Sequence, residues 1–176
     1  MVNSGGSLTW EPGLRQFEIN ISHRNKENTA ILRSAHCRHL LIDAGWFEYK
    51  VAKVLTQWNK ARQIRLNCIF PYKGKVAKNE IDIIIDTGYK PLFVECKTQI
   101  HNITDIDKFN SAVKNDGGMG SKALFVTNQP FSDIARQKCH EYGIITFSFS
   151  DNHMCLDNNK ALTTLLDSEL FNINPK

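Results

Sequence analysis

The chain has 176 residues, enough for one domain with a real core, and its 41% hydrophobic and 23% charged content is that of an ordinary globular protein. No apolar run approaches the ~20 residues that span a bilayer, and the opening MVNSGGSLTWEPG lacks the charged-then-apolar order of a secretory signal, so a cytoplasmic protein with no membrane partner is expected. The net charge of +4 is compatible with a polyanion without demonstrating one, and five scattered cysteines with no CxxC pair argue against a zinc knuckle or a disulfide framework.

The first 13 residues are polar and Gly/Ser-rich and read as a flexible end. Leu14–Ile21 alternates as a strand does, Asn25–Asn28 is a polar break, and from Ala30 to about Ala61 the pattern turns helical. Its strongest stretch is AGWFEYKVAKVLTQW, where Phe47, Val51, Val54, Leu55 and Trp58 recur at spacings of three and four. Gln63–Phe70 alternates as a strand, PYKGKVAKN is a basic loop, and Glu80–Asp86 and Pro91–Thr98 are strand runs separated by TGYK. Ile103–Asn115 reads as a helix with Ile106, Phe109 and Val113 on one side, followed by the glycine-rich NDGGMGSK. Ala123–Thr127 is a wholly apolar strand of the kind covered on both faces. Ser132–Tyr142 is a helix with Ser132 placed to cap it and Gly143 to stop it. A strand, Ile144–Phe149, and a helix, Asn158–Leu170, complete a single α/β domain over 1–176. Its mixed sheet starts as an antiparallel meander and continues through crossover helices into parallel strands.

Chemistry concentrates between Asn79 and Thr98. With Gly88 and Tyr89 central in a tight turn, Asp82 falls opposite Glu95 and Glu80 opposite Lys97. Strand alternation then puts all four on one face, the opposed Cβ atoms about 4.5–5.5 Å apart. Two carboxylates at that separation repel unless a cation lies between them or one is protonated. Mg²⁺ and Mn²⁺ take such oxygen ligands together with waters and substrate phosphate. The competing interpretation is a solvated strand face with ion pairs. Ile81, Ile83, Ile85, Leu92 and Val94 on one side, with Ile84 and Phe93 on the charged side, argue for strands covered on both faces, where charges need partners or a function.

An Asp followed by a hydrophobic strand ending in Glu-x-Lys, here Asp82 and then Phe93-Val94-Glu95-Cys96-Lys97, resembles the PD-(D/E)XK nuclease superfamily. The residue before Asp82 is Ile81, not Pro. The wider string AGWFEYKVAKVL, NEIDIIID, LFVECKT, the Gly117-Gly118 loop and ALFVTN resembles the C-terminal nuclease domain of CARF-containing, CRISPR-associated nucleases, from about Ala44 to Asn128. This resemblance implies a restriction-endonuclease-like three-layer sandwich and divalent-metal-dependent hydrolysis of phosphodiester bonds in DNA or RNA, in antiviral defence. It implies Asp82, Glu95 and the Cys96 backbone carbonyl as ligands of Mg²⁺ or Mn²⁺, and Lys97 as the catalytic lysine. Glu48 matches an acidic residue that such nucleases often carry on the first core helix near the metal; a solvent-facing helix glutamate is the equal alternative. Glu80 reads better as an ion-pair partner of Lys97. The sensor domain that binds cyclic oligonucleotides in those relatives is not visible in the sequence, and an upstream sensor and a homodimer are partners consistent with this reading.

Lys73, Lys75 and Lys78, in the loop entering the Asp82 strand, and Lys108, a helical segment after the ECK motif, are the candidates for phosphate-backbone contact; a solvated basic loop is the commoner outcome. Rival functions on this fold are a restriction endonuclease, a Holliday-junction resolvase, or a non-catalytic nucleic-acid-binding module. Retention of Asp82, Glu95 and Lys97 together argues against the last.

Overall fold

The computed structural model describes residues 5–11, 16–23, 26–33, 40, 45–70, 79–150 and 158–173. The chain divides into two compact units, Met1–Trp46 and Phe47–Lys176.

The first unit contains an antiparallel three-stranded sheet, β1 (Gly5–Glu11), β2 (Gln16–His23) and β3 (Lys26–Arg33), in the order β1-β2-β3. Two expectations fail here. The Gly/Ser-rich start is a strand, paired from Gly5↔Ser22 to Glu11↔Gln16, and Ala30 and Ile31 lie in β3, not in a helix. The apolar residues of KENTAILR fit either period over so short a run, and pairing with β2 along Gln16↔Arg33 to His23↔Lys26 decides for the strand.

The second unit follows the expected order: α1 (Gly45–Leu55), β4 (Gln63–Phe70), β5 (Asn79–Asp86), β6 (Pro91–Lys97), α2 (Thr104–Asp116), β7 (Lys122–Thr127), α3 (Asp133–Glu141), β8 (Ile144–Ser148) and α4 (Asn158–Phe171). Its sheet runs β4-β5-β6-β7-β8, antiparallel through β6 and parallel from β6 to β8. Helices cover both faces. Phe47, Val51, Val54, Leu55 and Trp58 from α1 and its end, and Leu162, Leu166 and Leu170 from α4, pack on Ile83, Ile85, Val94 and Leu124. On the other face Ile106, Phe109 and Val113 of α2 and Ala135 and Cys139 of α3 pack on Phe93 and Phe125. β7 is an interior strand of this α/β/α sandwich, between β6 and β8, with Leu124, Phe125 and Val126 all fully buried. α3 is capped as its sequence requires: Ser132 Oγ accepts from Ala135 N at 3.3 Å, and Gly143 has φ +67° just past its end.

The β5–β6 hairpin holds the register read from its turn, with pairs from Ile83↔Val94 to Asp86↔Pro91. The ladder closes one pair earlier than a two-residue turn would close it. The loop Thr87–Lys90 is instead tied by Thr87, whose Oγ1 donates to Lys90 O at 2.7 Å and accepts from Lys90 N at 3.0 Å. Gly88 has φ +76°, and a Cβ there would stand 2.2 Å from Arg62 Cζ. The guanidinium end can swing aside, but the backbone conformation cannot change without the turn. Gly88→Ala is therefore expected to cost about 1–2 kcal/mol, seen as a lower denaturant midpoint, and adding Arg62→Ala should recover little of it. Full recovery in the double variant would place the cost in the clash instead.

Candidate active site

The hairpin forks where its charges begin. The β5–β6 ladder ends at Ile83↔Val94, whereas β6 stays paired with β7 out to Lys97↔Thr127. Asp82 closes the fork with its side chain: Oδ2 accepts from Cys96 N at 2.7 Å, in place of a ladder bond. Glu95, next along β6, receives a Lys97 Nζ contact at 3.0 Å, with 13% of the Glu95 side chain and 39% of the Lys97 side chain exposed. The flat, four-residue charged face expected from the sequence is corrected in two respects. Ile81 packs with Phe93 and α2, on the side of the sheet opposite Ile83 and Ile85, so β5 does not keep one alternation throughout. Glu80 is exposed, faces Ile69 on β4, and is not the partner of Lys97; that partner is Glu95.

The electrostatics follow from burial. Withdrawal from water pushes the Asp82 carboxyl up to about 8, with the Glu95 charge adding to the effect, the Cys96 N–H opposing it, Glu48 raising it further and Lys97 lowering it. Burial raises Glu95 too; the Lys97 charge and hydrogen bond oppose that, and Asp105 and Glu48 reinforce it. Burial works against the Lys97 ammonium, but Glu95, Asp82 and Asp105 outweigh it and raise its pKa. Burial also lifts the Cys96 thiol well above its usual value, leaving it an inert thiol at neutral pH.

Asp82, Glu95 and Lys97 are thus brought together. Glu48, half-buried on α1, is close enough for its charge to be felt at Asp82, Glu95 and Cys96. Lys108 is exposed and lies 3.8 Å from Asp105. Lys73, Lys75 and Lys78 lie outside the described residues. Sequence reading missed Asp105, whose charge reaches both Glu95 and Lys97. Its position in the first turn of α2 reads as ordinary helix-dipole chemistry, so only the fold exposes the second effect.

Two half-buried acids on adjoining strands, with Asp82 Oδ1 making no hydrogen bond among the described residues, suit a hard cation that binds oxygen. Among the described residues no three His, Cys, Asp or Glu side chains converge on one point. The donor set therefore fits an ion such as Mg²⁺, which uses one or two carboxylates and retains waters, better than it fits an all-protein cage.

Among solved structures, the chain is similar to protein VC1899 from Vibrio cholerae, with a TM-score of 0.62 and 18% identity over 92% of this chain and 40% of that one. It is similar as well to Can2 from Sulfobacillus thermosulfidooxidans, solved in complex with cyclic tetra-adenylate, with a TM-score of 0.61 and 22% identity over 80% of this chain and 40% of that one. At these identities the likeness is one of fold, and the chain spans well under half the length of either protein. No curated protein matches it by sequence. No helix among the described residues is long and apolar enough to cross a membrane. The model of the Card1-like endonuclease domain matches residues 35–160, which include the whole fork from Asp82 to Lys97. The chain belongs to the Card1-like endonuclease domain family.

Proposed function

We propose that this domain is a divalent-metal-dependent endonuclease that hydrolyses phosphodiester bonds of nucleic acid and serves CRISPR-linked antiviral defence. The observation that carries the reading is the pair of half-buried, mutually repelling carboxylates at the β5–β6 fork with an ammonium beside them. Isolated, that pair is costly; around a cation it is a ligand set. Asp82, Glu95 and the Cys96 carbonyl would hold Mg²⁺ or Mn²⁺, with Glu48 acting on the ion from α1. Such an ion, when bound, polarises a phosphoryl oxygen and lowers the pKa of a coordinated water. Lys97 keeps its proton at neutral pH and supplies a positive charge for the developing phosphorane oxygens. The Cys96 N–H holds Asp82 in place from below, which spares the carboxylate a search through rotamers. The defence role rests on the family and on the resemblance of the Ala44–Asn128 string. Since Can2 binds cyclic tetra-adenylate, a cyclic oligonucleotide sensed by a further domain is the activator we propose.

A cleavage panel tests this reading. Single- and double-stranded DNA and RNA are offered with Mn²⁺, with Mg²⁺ and with chelator. Cutting of at least one polymer with metal and none with chelator is expected. Cleavage indifferent to chelator would overturn the metal dependence, and failure to cut any polymer with either ion would overturn the nuclease.

A further inference from the structure

Asn67 on β4 has φ +50°, in the left-handed region that residues with a Cβ seldom enter and asparagine tolerates best. Its position is not arbitrary. β4 pairs with β5 at Leu66↔Ile83 and Cys68↔Ile81, and the rung between those pairs, where Asn67 faces Asp82, is missing from the ladder. The strands also exchange faces there. On β4, Ile64 packs with the α1–α4 core, whereas Cys68 and Phe70, which strict alternation would put on the same side, pack with the α2–α3 core. On β5, Ile83 and Ile85 belong to the first core and Ile81 to the second. Cys68 Sγ even reaches back to Leu66 O at 4.0 Å, across the bent residue.

Both strands thus reset their alternation at a single rung, and that rung carries Asp82. On its other side Asp82 is where β5 parts from β6 and turns a carboxylate oxygen onto Cys96 N. In a regular strand the side chain would stand perpendicular to the sheet, and Cys96 N–H would go to a β5 carbonyl. No hydrogen bond of the Asn67 side chain is seen among the described residues, so its contribution lies in its backbone. Strained conformations persist only where the surroundings over-determine them, and they gather at functional sites.

We propose that Asn67 is a positioning residue: its left-handed backbone sets the paired face reversal that turns the Asp82 carboxylate into the β5–β6 fork beside Glu95. The proposal rests on the reading of Asp82 as part of the nuclease site. A β-branched residue at 67 favours extended backbone, restores the missing rung and releases Asp82 from the fork. Glycine adopts φ near +50° freely and preserves the bend.

Four proteins are compared: wild type, Asn67→Gly, Asn67→Ala and Asn67→Val. The readouts are single-turnover cleavage with Mn²⁺, thermal melting, and the proton shift of the Cys96 amide, which a carboxylate acceptor moves downfield. Asn67→Gly should cut within about threefold of wild type and keep the Cys96 shift. Asn67→Val should cut at least tenfold more slowly, melt no lower than wild type, and lose the shift, with Asn67→Ala in between and decisive if the valine variant fails to fold. A merely structural asparagine would lower the melting temperature and leave the Cys96 shift where it is. Wild-type cleavage by the valine variant overturns the proposal, as does slow cleavage with an unmoved Cys96 amide. If the wild type itself cuts nothing, or Asp82→Asn cuts as well as wild type, the functional reading falls, and the Cys96 amide alone decides whether Asn67 positions Asp82.

Discussion

Lys97→Ala is expected to slow single-turnover cleavage by about 10²–10⁴-fold, and Glu95→Gln by a similar amount, with neither change unfolding the protein. The two variants act through different physics. Lys97 is 39% exposed and its stem contributes little to either core, so its removal deletes a charge more than it opens a cavity. That charge and its hydrogen bond are what oppose the burial of Glu95. Without them the Glu95 carboxyl rises further, so a cation competes with its proton up to a higher pH. Lys97→Ala should therefore shift the pH dependence of Mn²⁺ affinity, measured by calorimetry, toward higher pH. Glu95→Gln removes one of the two carboxylates outright, so Mn²⁺ affinity should fall at every pH and lose part of its pH dependence. Equal Mn²⁺ affinity in all three proteins would mean that the ion, if bound, is held elsewhere. Full cleavage by either variant would remove that residue from the reaction.

Much of this site was legible because it is local. Gly88 in a short polar turn between apolar runs sets the hairpin register, and the register brings Asp82 toward Glu95. Alternation along one strand, from Phe93 to Lys97, places Glu95 and Lys97 together, and they form the 3.0 Å pair. The apolar run ALFVT names a strand covered on both faces, and β7 is buried from Ala123 to Thr127. What stayed hidden is non-local. The departure of β5 from its own alternation at Asp82 is shared with Asn67 on β4, across a connection from Pro71 to Lys78, and no pattern within EIDIIID reveals that Ile81 and Ile83 serve different cores. The one hint was compositional: an asparagine amid the strand residues of RLNCIF, where its β-propensity is poor and its tolerance of left-handed backbone high. Glu80 was misassigned for the same reason, since its pairing with Lys97 assumed a ladder that ends three residues before it. Of the N-terminal meander β2 was legible in Leu14–Ile21, but β1 was missed because Gly5, Gly6 and Ser7 are poor strand formers singly, and only pairing with Ser22, Ile21 and Asn20 makes them one.

Asp82→Asn should abolish cleavage and yet make the metal-free protein more stable at alkaline pH. Asp82 titrates at about 8 in the folded chain against an ordinary value of 3.8. An acid whose folded pKa is raised binds its proton more tightly when folded. Its favourable contribution is complete below about 3.8 and is lost as the pH climbs through about 8, so the metal-free wild type should weaken steadily across that window. Asparagine is neutral throughout and its side-chain oxygen can still accept from Cys96 N, so the variant escapes this part of the decline. At about 1.4 kcal/mol per pKa unit, the gap between the two proteins at pH about 9 should be on the order of a few kcal/mol in favour of the variant. Glu95, raised in the same direction, leaves a slope of the same sign in both. Saturating Mn²⁺ should reverse the order, because an ion bound only by the folded wild type stabilises it by mass action and gives the variant little. Urea melts at several pH values, with and without Mn²⁺, measure all of this. Parallel stability curves for the two metal-free proteins from about pH 5 to about pH 9 would mean that Asp82 is ionised and content without a cation, and the ligand role proposed for it would lose its physical basis.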